Sequence, residues 1–146
     1  MFRLASCAAV LLGTAVQAQE GVVTHVVTDS FDNVAFAVES AIIDAGLVVD
    51  HVSHTGEMLE RTRGETGSDR VLFTAADIFS FCSADVSRRV MEADIANVQH
   101  CPYGIFVYET PDAPGQITVG HRVYAGSMAP VQDLLTRLVA EALDLP

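Results

Sequence analysis

The sequence predicts an α+β two-layer sandwich, a mostly antiparallel sheet carrying two main helices and a short helical insert. Three observations carry that expectation. Runs rich in Val, Ile and Thr recur at strand length, and two longer segments repeat apolar residues at three- and four-residue spacing. Thr110-Pro111-Asp112-Ala113-Pro114-Gly115 then joins two apolar runs by a turn, as an antiparallel hairpin requires. Helices flanking hairpin-linked strands must bury their apolar stripes on one sheet face, which is the α+β layering.

In chain order, Val22 to Thr28 is β-branched and reads as the first strand. Ser30 caps a helix, with Asp29 and Asp32 where the helix dipole favours negative charge. Its stripe is Phe31, Val34, Ala35, Val38, Ile42 and Ala45, closed by Gly46 in the left-handed position that ends many helices. Phe36 and Ile43 lie off that stripe and suit a subunit contact. Leu47 to Ser53 reads as a second strand and Glu57 to Arg63 as a polar helical turn, followed by the loop Gly64-Glu65-Thr66-Gly67.

Arg70 to Ala76 reads as a third strand, with apolar character continuing through Ile78, Phe79 and Phe81. Ser83 caps the insert helix, which runs to Ala93 with Asp85 in its first turn. Tyr103 to Glu109 and Gln116 to Val123 form the hairpin, with Tyr103 and Tyr108 on opposite faces as packing residues. Pro130 opens the last helix, whose stripe is Val131, Leu134, Leu135, Leu138, Ala142 and Leu145.

Residues 1–18 bear one basic residue, Arg3, an apolar run from Leu4 to Val16 and a Val16-Gln17-Ala18 ending, the pattern of a secretory signal peptide. Cleavage after Ala18 leaves residues 19–146 as a single domain in the periplasm or outside the cell. The apolar run is short for a bilayer span, and no membrane insertion is expected after cleavage. The chain has no lysine, eight arginines and nineteen Asp plus Glu, for a formal charge of −11. Such a surface repels phosphate backbones, so no nucleic-acid partner is expected.

Two cysteines follow the leader, Cys82 and Cys101, and in an oxidising compartment an even pair is first read as a disulfide. A closed loop of about 20 residues contributes roughly 3 kcal/mol by chain entropy. The alternative is a thiol redox or sulfur-handling pair, with Cys82 close to a helix N-terminus and His100 beside Cys101 as proton carrier. Against it, the chain has no Cys-X-X-Cys.

Three histidines form another constellation. His25 alternates with Val23 and Val27, His51 with Leu47 and Val49, and His121 with Val119 and Val123. Alternation therefore places three imidazoles at inward positions of three strands. On neighbouring strands they could ligate a metal or a haem iron, with Cys or Met128 adding. The ordinary alternative is a histidine bonded to backbone, and no cofactor is required by the sequence. His51 and His54, three apart, point to opposite faces of a straight strand. Glu92 and Asp94, two apart on a helix, are expected on the surface rather than as a carboxylate pair. Serine-hydrolase elbows, His-Glu-X-X-His, dinucleotide fingerprints and phosphate loops are absent.

The segments SFDNVAFAVESAIIDAGLVVDHV and VLFTAADIFSFCSADVSRRVMEADIANVQHCPYGIFVYE, with the closing amphipathic helix, resemble the domain-of-unknown-function 302 family. The resemblance implies a TATA-box-binding-protein-like α+β sandwich, often a homodimer, and no assigned reaction. Many relatives carry Pro-Cys before the late strand, whereas this chain reads His100-Cys101-Pro102, so no role is carried over to Cys101. The expected function is a small exported accessory or binding domain, held by one disulfide, for an unknown protein or small-molecule partner. Thiol redox through Cys82, Cys101 and His100, and metal or haem binding through His25, His51 and His121, are the alternatives.

Overall fold

A computed structural model describes residues 17–19 and 21–146. Among these residues six strands make one antiparallel sheet: β1 (Gln17–Gln19), β2 (Val22–Thr28), β3 (Val48–Ser53), β4 (Ala75–Cys82), β5 (Tyr103–Glu109) and β6 (Gln116–Arg122). Their spatial order is β1-β2-β6-β5-β4-β3. Four α-helices accompany them: α1 (Phe31–Asp44), α2 (Thr55–Thr62), α3 (Ala84–Ala93) and α4 (Ala129–Ala142). A 3₁₀ helix at Ile95–His100 and a shorter one at Gly126–Met128 complete the list. The expected leader falls outside the described residues apart from Gln17 and Ala18, which lie in β1.

Strand alternation gives the sheet two different faces. One carries Phe79 and Phe81 from β4, Tyr103, Ile105 and Val107 from β5, and Ile117 and Val119 from β6. Val34, Val38 and Ile42 of α1, Val86 and Val90 of α3, and Val131, Leu134, Leu135 and Leu138 of α4 pack against it in one cluster. Burying each such side chain contributes about 2 kcal/mol, so this layer is the principal source of stability. The centres of the stripes predicted for α1 and α4 are buried, with Ala41 and Val139 added, while Phe31, Ala35, Ala142 and Leu145 are half-buried and Ala45 is exposed.

Capping follows the sequence closely. Ser30 Oγ accepts from Asn33 N, and Ser83 Oγ accepts from Val86 N. The Asp29 carboxylate accepts from the Asn33 amide and from Ser30 N, which holds its pKa below the usual value, the Asn33 bond contributing most. Gly46 adopts φ 76°, and Leu47 N returns to Ile42 O, closing α1. Gly115, φ 76°, completes the β5–β6 turn.

Two expectations are corrected, the start of the third strand and the face of His51. The third strand is not Arg70 to Ala76 but Ala75–Cys82, because β4 needs a partner and its ladder with β5 begins only at Ala75 opposite Glu109. The segment after α3 winds into the 3₁₀ helix Ile95–His100, capped by Asp94, whose carboxylate accepts from Ala96 N.

His51 does not point inward with His25 and His121. A register shift between Val49 and His51 inserts one residue, so Val49 pairs with core-facing Phe81 while His51 pairs with Ser80 on the other face. The β3 strand is also four strand spacings from β2, about 19 Å. Among the described residues, no helix is long and apolar enough to cross a membrane.

Candidate functional site

Cys82 ends β4 and Cys101 immediately precedes β5, and the two are joined by a disulfide with Cα atoms 6.3 Å apart. Between them run α3 and the 3₁₀ helix, so the bond closes a loop holding the whole helical insert. Cys101 packs beside the core, with Ser87 Oγ 3.9 Å from its sulfur and also bonded to the buried Tyr103 hydroxyl. His100, expected as a proton carrier for these sulfurs, instead meets Tyr124 edge-on with ring centres 5.5 Å apart.

His25 and His121 lie on neighbouring strands and the same face, since His25 pairs with Val119 and His121 with Val23. His121 is buried, its Nδ1 lies 2.8 Å from the Arg122 carbonyl, and its Nε2 has no partner. Burial lowers its pKa, and proximity of His25 adds in the same direction. The neutral ring therefore carries its proton on Nδ1, donating to Arg122 O. With His51 on the opposite face of a distant strand, the three imidazoles do not converge. Among the described residues, no group of three or more His, Cys, Asp or Glu side chains is placed to hold a metal ion.

A cavity of about 380 Å³ between α3 and α4 mixes Asp85 and Asp133 with Arg89 and Arg137, and two others bear on function. The larger, about 710 Å³, lies where α2 meets the start of β4. Gly56 allows the helix to touch the strand: a Cβ there would sit 2.6 Å from Ala76 N. Its walls bear Asp32, Glu57, Glu60 and Asp77, and His54 Nδ1 lies 2.9 Å from Asp77 Oδ1. The hydrogen bond and the charge of Asp77 raise the His54 pKa.

The second cavity, about 370 Å³, opens on the sheet face away from the core. Its floor is Ile78 and Ser80 of β4, Gly104 and Phe106 of β5, Val22 of β2 and Arg122 of β6. Gln99, His100, Pro102 and Tyr124 form the wall. Burial raises the Tyr124 pKa against a smaller opposing effect of Arg122, keeping the phenol a hydrogen-bond donor. Phe106 reaches over Gly120, where a Cβ would come 2.6 Å from its Cζ, and stacks on Tyr108 with ring centres 6.1 Å apart. The face stays partly open: Ile78 is 38% and Val26 42% exposed.

Sequence reasoning did not single out this second cavity. The available signal was Gly104 and Gly120 inside strands, because interior glycines mark a close approach to the sheet.

A family model described as a domain of unknown function, DUF302, matches residues 23–144. No curated protein matches. Among solved structures, the chain is similar to one described as an uncharacterized conserved DUF302 protein from Bacillus stearothermophilus. The two share 18% identity with a TM-score of 0.58, covering 86% of this chain and 90% of that one. At that identity the likeness concerns the fold.

Proposed function

The chain belongs to the DUF302 family, and we propose that it serves as a small exported binding domain, clasped by Cys82–Cys101, whose working surface is the sheet face that the core helices leave uncovered. The observation that carries this reading is the pairing of a crosslinked helical insert with a ligand-sized cavity on that face, walled by the insert's own end. Sites for small molecules are concave and combine apolar walls with placed polar groups, and this one sets Ile78, Phe106 and Pro102 beside Gln99, His100 and Arg122.

Export is supported by the leader-like residues 1–18 and by the crosslink, which oxidising compartments favour. Self-association through the outer side of α1 is supported by Phe36 and Ile43, exposed to 71% and 55%. Catalysis has no assembled nucleophile and base to support it in the described residues. A redox role for Cys82, Cys101 and His100 loses the imidazole that was to assist it, because that ring packs on Tyr124.

The test is a thiol count. Protein recovered from the periplasm or medium and unfolded in denaturant without reductant should expose no thiol from Cys82 or Cys101. Two reactive thiols per chain, or retention in the cytosol, would overturn the reading. A bridge that glutathione opens readily would favour the redox alternative.

A further inference from the structure

We propose that the 370 Å³ cavity on the uncovered sheet face binds a small organic carboxylate with a flat apolar body, its anionic end on Arg122 and its body over Ile78, Gly104 and Phe106. The inference deepens the binding-domain reading and rests on it.

Charge is the first argument. The chain has nineteen acidic residues against eight arginines, yet no Asp or Glu lines this cavity among the described residues. The larger cavity, by contrast, bears four carboxylates. On so acidic a surface an anion is repelled from most approaches, and a spot that lacks carboxylates and holds an arginine is where it can settle. The Arg122 guanidinium forms no ion pair among the described residues, while four other arginine–carboxylate or histidine–carboxylate contacts lie elsewhere. A guanidinium offers a planar fork of donors that matches a carboxylate, and Gln99, His100 and the Tyr124 phenol stand on the same wall to donate to the remaining carboxylate lone pairs.

Shape is the second. Gly104 adds no side chain to the floor, and a Cβ there would already press on Ile78 Cγ2 at 3.3 Å, so a larger side chain must push out over the floor into the cavity. Phe106 beside it presents a ring confined by Gly120 and by near-parallel Tyr108, an apolar partner for a planar group. The volume stands at the small end of ligand sites, which suits a single ring or short chain with one carboxylate.

Preorganisation is the third. The wall residues Gln99, His100 and Pro102 flank Cys101, and the floor residues Ile78 and Ser80 precede Cys82 on its strand. The disulfide thus ties wall to floor, and a site fixed before its ligand arrives loses less entropy on binding.

The experiment uses the oxidised mature chain, with benzoate as probe and benzamide as its neutral counterpart, followed by amide chemical shifts and calorimetry. Benzoate should saturate at up to millimolar concentration and shift the amides of Gly104, Phe106 and Arg122. Benzamide should bind about tenfold or more weaker, and Arg122→Gln should weaken benzoate by a similar factor, as expected on losing one charge-assisted hydrogen bond. Gly104→Val should abolish binding with the fold retained by circular dichroism.

Equal binding of the two probes, indifference to Arg122→Gln, shifts confined to other surfaces, or no saturation would each overturn the proposal. Failure of benzoate on a secreted, fully crosslinked chain would sink the carboxylate site alone. A cytosolic chain with two free thiols would sink the binding-domain reading whatever benzoate does.

Discussion

Removing the crosslink by Cys82→Ala with Cys101→Ala isolates its contribution. The bond joins residues 19 apart in sequence and encloses α3 and the 3₁₀ helix. Chain entropy for a loop of that length gives a loss of about 3 kcal/mol, a large share of the 5–15 kcal/mol typical of a domain. For a chain of this size the loss corresponds to a fall of roughly 10–15 °C in Tm. Urea unfolding followed by circular dichroism measures it, since the chain has no tryptophan. Reduced wild type should reproduce the double variant's curve. Hydrogen exchange should quicken within residues 83–100 more than in β2 and β6, because those strands pair outside the loop. A loss under about 1 kcal/mol, well short of the chain-entropy value, would refute the reasoning.

Other outcomes follow from single contacts. Gly120→Ala places a Cβ against the Val23 carbonyl and 2.6 Å from Phe106 Cζ, so denaturant curves should show a loss of about 1–3 kcal/mol or more; an unchanged midpoint would contradict the close packing. His121 is held neutral by burial, with a folded pKa below the unfolded value of about 6.5. The unfolded chain therefore binds the proton first, and stability that is complete above that pH is lost as pH falls through and below it. His121→Leu should flatten that acid-side slope relative to wild type. His54 runs the other way, since its raised pKa favours the fold at low pH, but its exposed position makes it the smaller effect. Self-association through α1 predicts that wild type sediments as a dimer and Phe36→Asp as a monomer; a monomeric wild type or an unchanged coefficient would remove that face.

Much of this fold was legible because its signals are local. The α1 stripe, the Ser30 and Ser83 caps and the Pro-rich hairpin each depend on residues within a turn or two of one another. The start of β4 was not, because Val71, Leu72 and Phe73 are as apolar as a strand and only the reach of β5 decides where pairing begins. His51 shows the same limit: one bulged residue reverses its face, and alternation alone predicts the opposite. The disulfide was legible once residues 1–18 are read as a leader, which leaves an even cysteine count. The cavity was not, because Arg122, Gly104, Ile78 and His100 come from four separate elements and meet only through the strand order.

Intact mass spectrometry of the chain collected outside the cytosol, without reductant, tests export and crosslink together. The account predicts a species starting at Gln19, two hydrogens lighter than its reduced form and inert to alkylation. A species that keeps residues 1–18, or one that takes up two alkyl groups at Cys82 and Cys101 without reduction, would contradict it.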